Sequence, residues 1–321
     1  MGIALKMYKE NFIQRFDKDG IIPYLSHLDF EGLKFLKGTF KNSIGLSIAY
    51  FAYYYEGYKL DKFILFCPGL GPGHTQYTRE IEKLASEGYF VLTYDYTGSS
   101  ESEGESLLSV NSPTRDTHDL IEFIKGDGDQ RLTFLKDMEI IVMGHSLGGY
   151  TALNTINIHP FIKKAIIISG FIDVVSELKG VSHINIGFLF NDVKRYEKRV
   201  NKEYYGINNM KYLKETNDSI LFIHSTDDSM VPYKYATERI YKKYKDKFSF
   251  VIVSGKDHNP NYTLDALKYM KETFGELNSL ISSGEVKTTE EKANYMKDKS
   301  LLKMTEQDDG VFNKIFKFIE S

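Results

Sequence analysis

Two segments near the start of the chain alternate apolar and polar positions. They are LKFLKGTF and LSIAYFAYYY, and the turn-like KNSIG lies between them. A period of two is typical of β-strands, and a short polar turn that contains glycine favours an antiparallel connection. This part of the sequence therefore predicts an antiparallel hairpin at the start of a sheet.

From residue 62 onward, short apolar runs alternate with longer amphipathic stretches. Runs without a polar face are typical of parallel strands that are covered on both sides. Stretches such as QYTREIEKLASEG and SPTRDTHDLIEFIKG between them have helical character. This alternation predicts βαβ units, a mostly parallel sheet and helices on both of its faces. The apolar runs are KFILFC (62–67), YFVLTYDY (89–96), EIIVMG (139–144), KAIIIS (164–169), SILFIH (219–224) and FSFVIV (248–253).

Two insertions interrupt this alternation, although we interpret residues 1–321 as a single domain. Residues 170–217 are too many for a loop between consecutive strands, so we expect helices that form a cap over one edge of the sheet. Residues 260–308 form a second insertion before the amphipathic final helix, DGVFNKIFKFIE. Within it, LDALKYMKETFGELNSLI is typical of a helix, and we interpret SSGEVKTTEEKANYMKDKS as a polar excursion.

Composition narrows the class of protein. The formal net charge is −3, with 42% hydrophobic and 26% charged residues, which indicates a globular core and disfavours a nucleic-acid-binding surface. The single cysteine, Cys67, excludes an internal disulfide and a metal site built from cysteines. The N-terminus lacks the apolar stretch of a signal peptide, and the aromatic run 42–55 is too short to span a bilayer as a helix. We therefore expect a cytoplasmic protein without membrane insertion.

The stretch IIVMGHSLGGY (140–150) predicts a sharp turn between a strand and a helix, with a serine at its apex. Gly144 and Gly148 lie two residues before and after Ser146, at positions where a Cβ would clash in so tight a turn. The turn would place the hydroxyl at a helix N-terminus, which favours developing negative charge. The spacing G-x-S-x-G is weakly specific in a chain with 25 glycines, so the prediction of a nucleophile depends on the flanking strand and helix.

A serine nucleophile needs a base, and the base needs an acid to orient it. In a strand–turn–helix architecture of this kind they follow the serine in the order acid, histidine. His258, in VIVSGKDHNP, is the histidine that remains downstream of an acid placed after SILFIH. The acid candidates are Asp228, which the spacing to Pro232 favours, then Asp227, and more distantly Asp173.

An oxyanion hole requires two backbone N–H groups. We expect one from Leu147, which follows the serine, and one from Leu70 in the glycine-rich loop CPGLGPGH. This loop lacks the G-K-[ST] ending of a phosphate-binding loop. His74, at the end of the loop, is expected to cap the following helix and not to line the pocket.

Together these residues resemble the α/β-hydrolase family, and more narrowly its serine-aminopeptidase and acylaminoacyl-peptidase-like branch. GHSLGG matches the family pattern without change, and GKDHN resembles its histidine loop. FCPGLGPGHTQY is similar to the oxyanion loop, with Pro68 where histidine is usual. YDYTGSSESEG resembles the segment D-x-R-G-x-G-x-S-x-G, with Thr97 for arginine and Ser100 for glycine. HSTDDSMVP is similar to the acid loop, with Ser225 for glycine, and this alignment puts the acid on Asp228.

The resemblance implies hydrolysis of an ester, thioester or amide through an acyl-enzyme. Ser146 would attack, His258 would transfer the proton and Asp228 would hold the imidazole. No metal or organic cofactor is required. A carboxylesterase is the first alternative and a peptidase acting on short or acylated peptides the second. A non-catalytic binding protein on the same fold and an acyltransferase remain further alternatives.

The first insertion offers apolar side chains for a substrate's acyl chain. The same residues would equally suit the buried face of a cap helix. They occur in VSHINIGFLF and are Ile184, Ile186, Phe188, Leu189 and Phe190.

Overall fold

Eight strands form one sheet in a computed structural model that describes residues 2–126, 128–182 and 190–321. The spatial order is β1-β2-β4-β3-β5-β6-β7-β8. Both neighbours of β2 are antiparallel to it, and the other pairings are parallel. The mostly parallel sheet with antiparallel N-terminal strands is therefore confirmed. The strands are β1 Lys34–Lys41, β2 Ser47–Tyr54, β3 Lys62–Cys67, β4 Phe90–Tyr94, β5 Glu139–His145, β6 Lys164–Ile168, β7 Ser219–Ser225 and β8 Ser249–Val253.

Helices cover both faces of this sheet. They are α1 Ile3–Phe12, α2 Thr78–Ser86, α3 Ser112–Lys125, α4 Leu147–Ile158, α5 Val174–Ser182, α6 Asn191–Val200, α7 Lys202–Tyr205, α8 Asn209–Glu215, α9 Thr237–Tyr244, α10 Leu264–Ser283, α11 Thr289–Lys297, α12 Leu301–Met304 and α13 Asp309–Glu320. Helices α3, α4 and α9 share one hydrophobic core with the sheet, and α2 and α13 share the other. No helix in the described ranges is long and apolar enough to cross a membrane.

The central strands are apolar between their ends because each of their faces meets a different core. In β3, Phe63 and Leu65 point into the core on the α3–α4 side, whereas Ile64 and Phe66 point into the core on the α2–α13 side. Strand β2 is also an inner strand, between β1 and β4, and is buried from Ile48 to Tyr53. The polar loops described below follow the carboxyl ends of these strands.

Helix α1 was not predicted, because its charged residues obscure a narrow apolar face. Ala4, Leu5, Tyr8 and Phe12 recur at helical spacing and pack against the core. The hydroxyl of Tyr8 is hydrogen-bonded to the carboxylate of Glu197 on α6, and both groups are buried. The N-terminus is therefore attached to the helices that lie between β6 and β7.

The prediction of a polar excursion at 282–300 is wrong. Thr288 and Glu291 form a capping box that begins helix α11. The helix is mostly polar but buries Met296 against Leu277 of α10 and Met304 of α12, and this small cluster explains why it folds. The segment between β6 and β7 contains α5 to α8. Its function as a cap, and the domain boundaries, stay predictions.

Candidate active site

Ser146 occupies a strained turn between β5 and α4. Its backbone has φ 57° and ψ −121°, in a region that residues with a side chain rarely adopt. A Cβ at Gly148 would overlap the carbonyl oxygen of Cys67, and one at Gly144 would overlap the carbonyl oxygen of Gly148. Gly144 is therefore required by a contact within the turn, and Gly148 by the close approach of the end of β3. The serine is partly exposed at the end of the strand.

His258 and Asp228 form a close pair in the loops that follow β8 and β7. Nδ1 of His258 lies 2.9 Å from Oδ2 of Asp228 and 3.0 Å from Oδ1. Asp228 also accepts hydrogen bonds from the backbone N–H groups of Met230 (3.0 Å) and Val231 (2.8 Å). The carboxylate is thus fixed in place with an oxygen directed at the imidazole.

His224, at the end of β7, also contacts this carboxylate. Its Nε2 lies 3.2 Å from Oδ2 of Asp228, and both side chains are fully buried. Burial by itself would raise the pKa of Asp228, but the hydrogen bonds with His224 and His258 outweigh burial and hold the pKa well below its ordinary value. Asp228 is therefore ionised at neutral pH and can stabilise a positive charge on His258.

The two other acid candidates are engaged elsewhere. Asp227 accepts hydrogen bonds from the Ser225 hydroxyl (2.6 Å) and from the N–H of Gly255 (2.8 Å). Asp173 accepts from the N–H of Ser176 (2.8 Å), at the start of α5, and pairs with Arg239. The structure brings Asp228, and neither alternative, into hydrogen-bonding contact with His258.

Ser146 and His258 line the same cavity. Among the described residues, the Ser146 hydroxyl makes no hydrogen bond with the His258 ring. Catalytic hydrogen bonds are often long in a free enzyme and shorten when substrate binds, so this arrangement is compatible with proton transfer.

A chain of hydrogen bonds connects the loop after β3 with the loop of His258. The N–H of Gly69 donates to the hydroxyl of Tyr77 (3.1 Å), which lies 3.0 Å from Nδ1 of His145. Nε2 of His145 lies 2.8 Å from the carbonyl oxygen of His258. Because a carbonyl oxygen can only accept, Nε2 of His145 carries the proton, and Nδ1 accepts from Tyr77.

Burial, and after it the neighbouring His258, lower the pKa of His145 to about 3, so His145 stays neutral at ordinary pH. A neutral ring is what the hydrogen-bond directions require. Tyr77 and His145 were not predicted as parts of the site. Adjacency of His145 to Ser146 was the only signal in the sequence.

The prediction of an oxyanion hole rests on the backbone amides of two leucines. Leu70 and Leu147 both line the cavity beside Ser146. Within the described ranges, neither backbone N–H has an acceptor, whereas the N–H groups of Gly69 and Gly71 are each hydrogen-bonded to a tyrosine hydroxyl. Two N–H groups are thus available to a developing oxyanion. Their role in catalysis remains a prediction.

The segment after β4 supports this loop without the arginine that is usual in the family pattern. The hydroxyl of Tyr96 accepts from the N–H of Gly71 (2.7 Å) and donates to its carbonyl oxygen (2.9 Å). Ser99 donates to the same carbonyl oxygen (3.0 Å). Thr97 instead hydrogen-bonds the buried guanidinium of Arg115 on α3 (3.1 Å). Hydroxyl groups therefore fix the oxyanion loop.

The expectation that His74 caps a helix is wrong. Its ring is buried and stacks on Phe51 of β2, with ring centroids 3.6 Å apart. Its Nδ1 lies 2.8 Å from Oδ1 of Asp95. His74 is therefore a core histidine that helps to hold Asp95 under the oxyanion loop.

The cavity has a volume of about 750 Å³ and a mostly apolar wall. Its wall comes from α1, the loop at 22–25, α10 and α12 as well as from the site loops, a source that the sequence did not indicate. Among these residues are Met7, Phe12, Tyr24, Met270, Phe274 and Met304.

Of the five apolar residues predicted to bind an acyl chain, one lies within the described residues. Phe190 is buried at the start of α6 and does not line the cavity. Ile184, Ile186, Phe188 and Leu189 lie outside the described residues.

Glu177 of α5 is an acidic group in the otherwise mostly apolar wall. It is 6% exposed. Burial, together with the negative charges of Asp228 and Asp173, raises the pKa of Glu177 to about 8. At neutral pH this carboxyl is largely protonated, so it presents a neutral hydrogen-bonding group to the cavity. In the described part of the chain, no three His, Cys, Asp or Glu side chains converge at this cavity as metal ligands would.

Comparisons with known proteins agree with this architecture. The Pyrococcus furiosus esterase Pf2001 superposes with a TM-score of 0.57 over 84% of this chain and 98% of its own, at 14% sequence identity. The acylaminoacyl peptidase of Pyrococcus horikoshii gives a TM-score of 0.52 at 22% identity, over 72% of this chain and 38% of its own. The α/β hydrolase GrgF from a Penicillium species gives 0.52 at 14% identity, over 82% of this chain and 99% of its own. These similarities show the α/β-hydrolase fold.

A search of curated protein sequences gives no match. The model of the prolyl oligopeptidase family matches residues 75–276, which contain Ser146, Asp228 and His258. That match spans more than half of the chain. The chain therefore belongs to the prolyl oligopeptidase family of serine hydrolases.

Proposed function

We propose that the protein hydrolyses small carboxylic esters, or short and acylated peptides, through an acyl-enzyme on Ser146. The observation that carries the proposal is that Ser146, exposed by its strained turn, and His258 line the same cavity. Asp228, which is buried behind the ring, holds His258 in place.

The proposed reaction begins when Oγ of Ser146 attacks the carbonyl carbon of the substrate and its proton passes to Nε2 of His258. Asp228 holds the Nδ1–H of the ring and stabilises the imidazolium that forms. The N–H groups of Leu70 and Leu147 bind the oxyanion of the tetrahedral intermediate. The proton on His258 then passes to the leaving oxygen or nitrogen, and the acyl group remains on Ser146.

Water then hydrolyses the acyl-enzyme, with His258 acting again first as base and then as acid. His258 takes a proton from a water molecule, which attacks the acyl carbon, and returns it to Oγ of Ser146 as the ester bond breaks. This chemistry needs only the side chains described. Acyl transfer would differ solely in the acceptor, an alcohol or amine in place of water.

The mostly apolar wall favours an ester with an apolar acyl group as the first substrate class. A short peptide with a blocked or apolar N-terminal residue is the second, because a protonated Glu177 could hydrogen-bond a peptide group without requiring a cation. A non-catalytic binding protein on this fold is the remaining alternative, since a fold alone does not determine activity.

A fluorophosphonate probe tests the nucleophile. We expect covalent labelling of the wild-type protein and none of Ser146→Ala. Ser229→Ala is the matched control, because Ser229 lines the same cavity, and it should label as the wild type does. Absence of labelling in the wild type, or equal labelling of Ser146→Ala, would show that the protein is not a serine hydrolase acting through this residue.

A substrate panel then separates the classes. It would compare p-nitrophenyl esters of increasing acyl length with aminoacyl and acyl-aminoacyl anilides. We expect the largest kcat/KM for an ester. A larger kcat/KM for the acyl-aminoacyl anilides would instead identify a peptidase.

A further inference from the structure

Three side chains with metal-binding atoms converge far from the catalytic cavity. His118 and Glu122 are four residues apart on α3, and His159 directly follows the end of α4. One ligand atom from each lies within 4.8 Å of the others. Among the described residues, no other three His, Cys, Asp or Glu side chains bring their ligand atoms this close together. Residues four apart on a helix share a face, so α3 presents both of its groups towards the end of α4.

The two imidazole nitrogens already have a separation that suits a common ion. Nδ1 of His118 lies 3.2 Å from Nε2 of His159. Two nitrogens this far apart, each about 2.1 Å from one ion, would make an N–metal–N angle of about 100°, close to tetrahedral. Without an ion, the same atoms can share one proton in a hydrogen bond.

The surroundings allow an ion to enter and the third ligand to close on it. His159 is 4% exposed and supplies a fixed nitrogen on the protein side. Glu122 is exposed on the solvent side, so its carboxylate can move without disturbing the core. A further coordination position would remain open to water.

We propose that His118, Glu122 and His159 bind one divalent transition-metal ion. Two imidazoles and one carboxylate are a donor set typical of Zn²⁺, and they also suit Co²⁺ and Ni²⁺. Mg²⁺ and Ca²⁺ prefer oxygen ligands, so a site with two nitrogens does not suit them.

The position of the site assigns the ion a structural role. Helix α4 begins directly after Ser146, and its 12 residues separate the serine from His159. At about 1.5 Å per residue, the ion would lie about 18 Å from the start of the helix. It would join α3 to the far end of the helix that carries the nucleophile, without contacting substrate. This leaves unchanged the expectation that catalysis itself needs no metal.

Cobalt and zinc binding to the metal-free protein would test this site. After dialysis against a chelator, we expect one equivalent of Co²⁺ to give visible absorption bands of a low-symmetry nitrogen- and oxygen-ligated site. Zn²⁺ should displace the Co²⁺, which removes these bands. It should also raise the Tm, because an ion that binds only the folded state stabilises it.

Variants locate the ion. Glu122→Gln and His118→Gln should each weaken Zn²⁺ binding by about tenfold or more. Glu203→Gln, at an exposed carboxylate on α7, is the control for general electrostatic attraction and should bind as the wild type does. His258→Gln is the control for metal binding at the catalytic histidine, and it should retain the cobalt bands.

Unchanged zinc affinity in both Glu122→Gln and His118→Gln would overturn the proposal, as would a wild-type protein that binds neither ion. Loss of the cobalt bands in His258→Gln, with the bands retained in Glu122→Gln, would place the ion at the active site and contradict it. Circular dichroism of Glu122→Gln, whose side chain is exposed, confirms that any loss of binding is not due to unfolding. None of these results depends on hydrolytic activity.

Discussion

Nδ1 of His258 lies 2.9 Å from Oδ2 of Asp228, although the two residues are 30 positions apart. Asp227, the adjacent residue, points the other way and binds the N–H of Gly255. Neighbouring aspartates in one turn thus have separate roles. One orients the imidazole, and the other holds together the loops that follow β7 and β8.

Substitution of these aspartates should separate catalysis from loop stability. Asp228→Asn should lower kcat by about three to four orders of magnitude, because an amide no longer holds the productive tautomer of His258. Asp227→Asn is nearly isosteric and is expected to reduce kcat much less. The rate of p-nitrophenyl ester hydrolysis measures both effects. A larger loss in Asp227→Asn would show that the acid has been assigned to the wrong residue.

The close approach of the end of β3 to the turn predicts that residue 148 must be glycine. Gly148→Ala would place a Cβ against the carbonyl oxygen of Cys67, which is backbone and cannot move aside cheaply. We expect a loss of about 3 kcal/mol or more in the free energy of unfolding, measured by urea denaturation.

Gly275→Ala is the matched control for that substitution. Gly275 lies within helix α10, and nothing is close to the position of its Cβ. Alanine there should increase the free energy of unfolding by about 1 kcal/mol, because it is the better helix former. A Gly148→Ala protein as stable as the wild type would contradict the described geometry of the turn.

Removal of the Tyr77 hydroxyl tests the link between the oxyanion loop and the histidine loop. Tyr77→Phe leaves the N–H of Gly69 and Nδ1 of His145 without their partner. We expect kcat to fall by about tenfold with little change in KM, less than the 10²- to 10³-fold cost of losing a direct oxyanion donor.

Tyr89→Phe provides the comparison for Tyr77→Phe. Tyr89→Phe likewise removes a hydroxyl group, which is hydrogen-bonded to Glu320 at the end of α13, but Tyr89 does not line the cavity. Both variants should lose stability, and only Tyr77→Phe should lose activity. Equal kcat values in the two variants would show that the hydrogen-bond chain does not support catalysis.

The sheet could be predicted from the sequence because strands buried on both faces must be apolar along their buried length, as β3 is from Phe63 and β5 is from Ile140 to Gly144. Ser146 could be predicted because Gly144 and Gly148 stand at the fixed spacing that such a turn requires. The contact between Tyr77 and His145 could not, since these residues are 68 positions apart and no periodicity connects them.

The cavity wall escaped prediction for the same reason. Helix α1 and helix α10 are distant in the chain from Ser146 and meet it only through tertiary packing. Phe190, one of the apolar residues of the first insertion, suited the wall by composition but does not line it. Composition does not reveal which side of a helix faces the substrate.

Glu177 should make stability depend on pH in a direction opposite to that of an ordinary ion-paired acid. Burial, with the charges of Asp228 and Asp173, raises the pKa of Glu177 from its ordinary 4.5 to about 8. Between these values the folded protein retains a proton that the unfolded chain has released. The folded state is therefore progressively destabilised as pH rises from about 4.5 to about 8, and unaffected by this group below that window.

Glu177→Gln removes this dependence because an amide does not titrate and occupies nearly the same volume. Its Tm should match that of the wild type near pH 5 and exceed it by about 2 °C or more near pH 8. Other groups that titrate over this range are common to both proteins, so the difference between their Tm values isolates Glu177. A difference that stays constant from pH 5 to pH 8, or that grows towards low pH, would show that the carboxyl is already ionised in the folded protein. In that case Glu177 would present a negative charge to the cavity, and a cationic substrate would replace an uncharged one as the expected ligand.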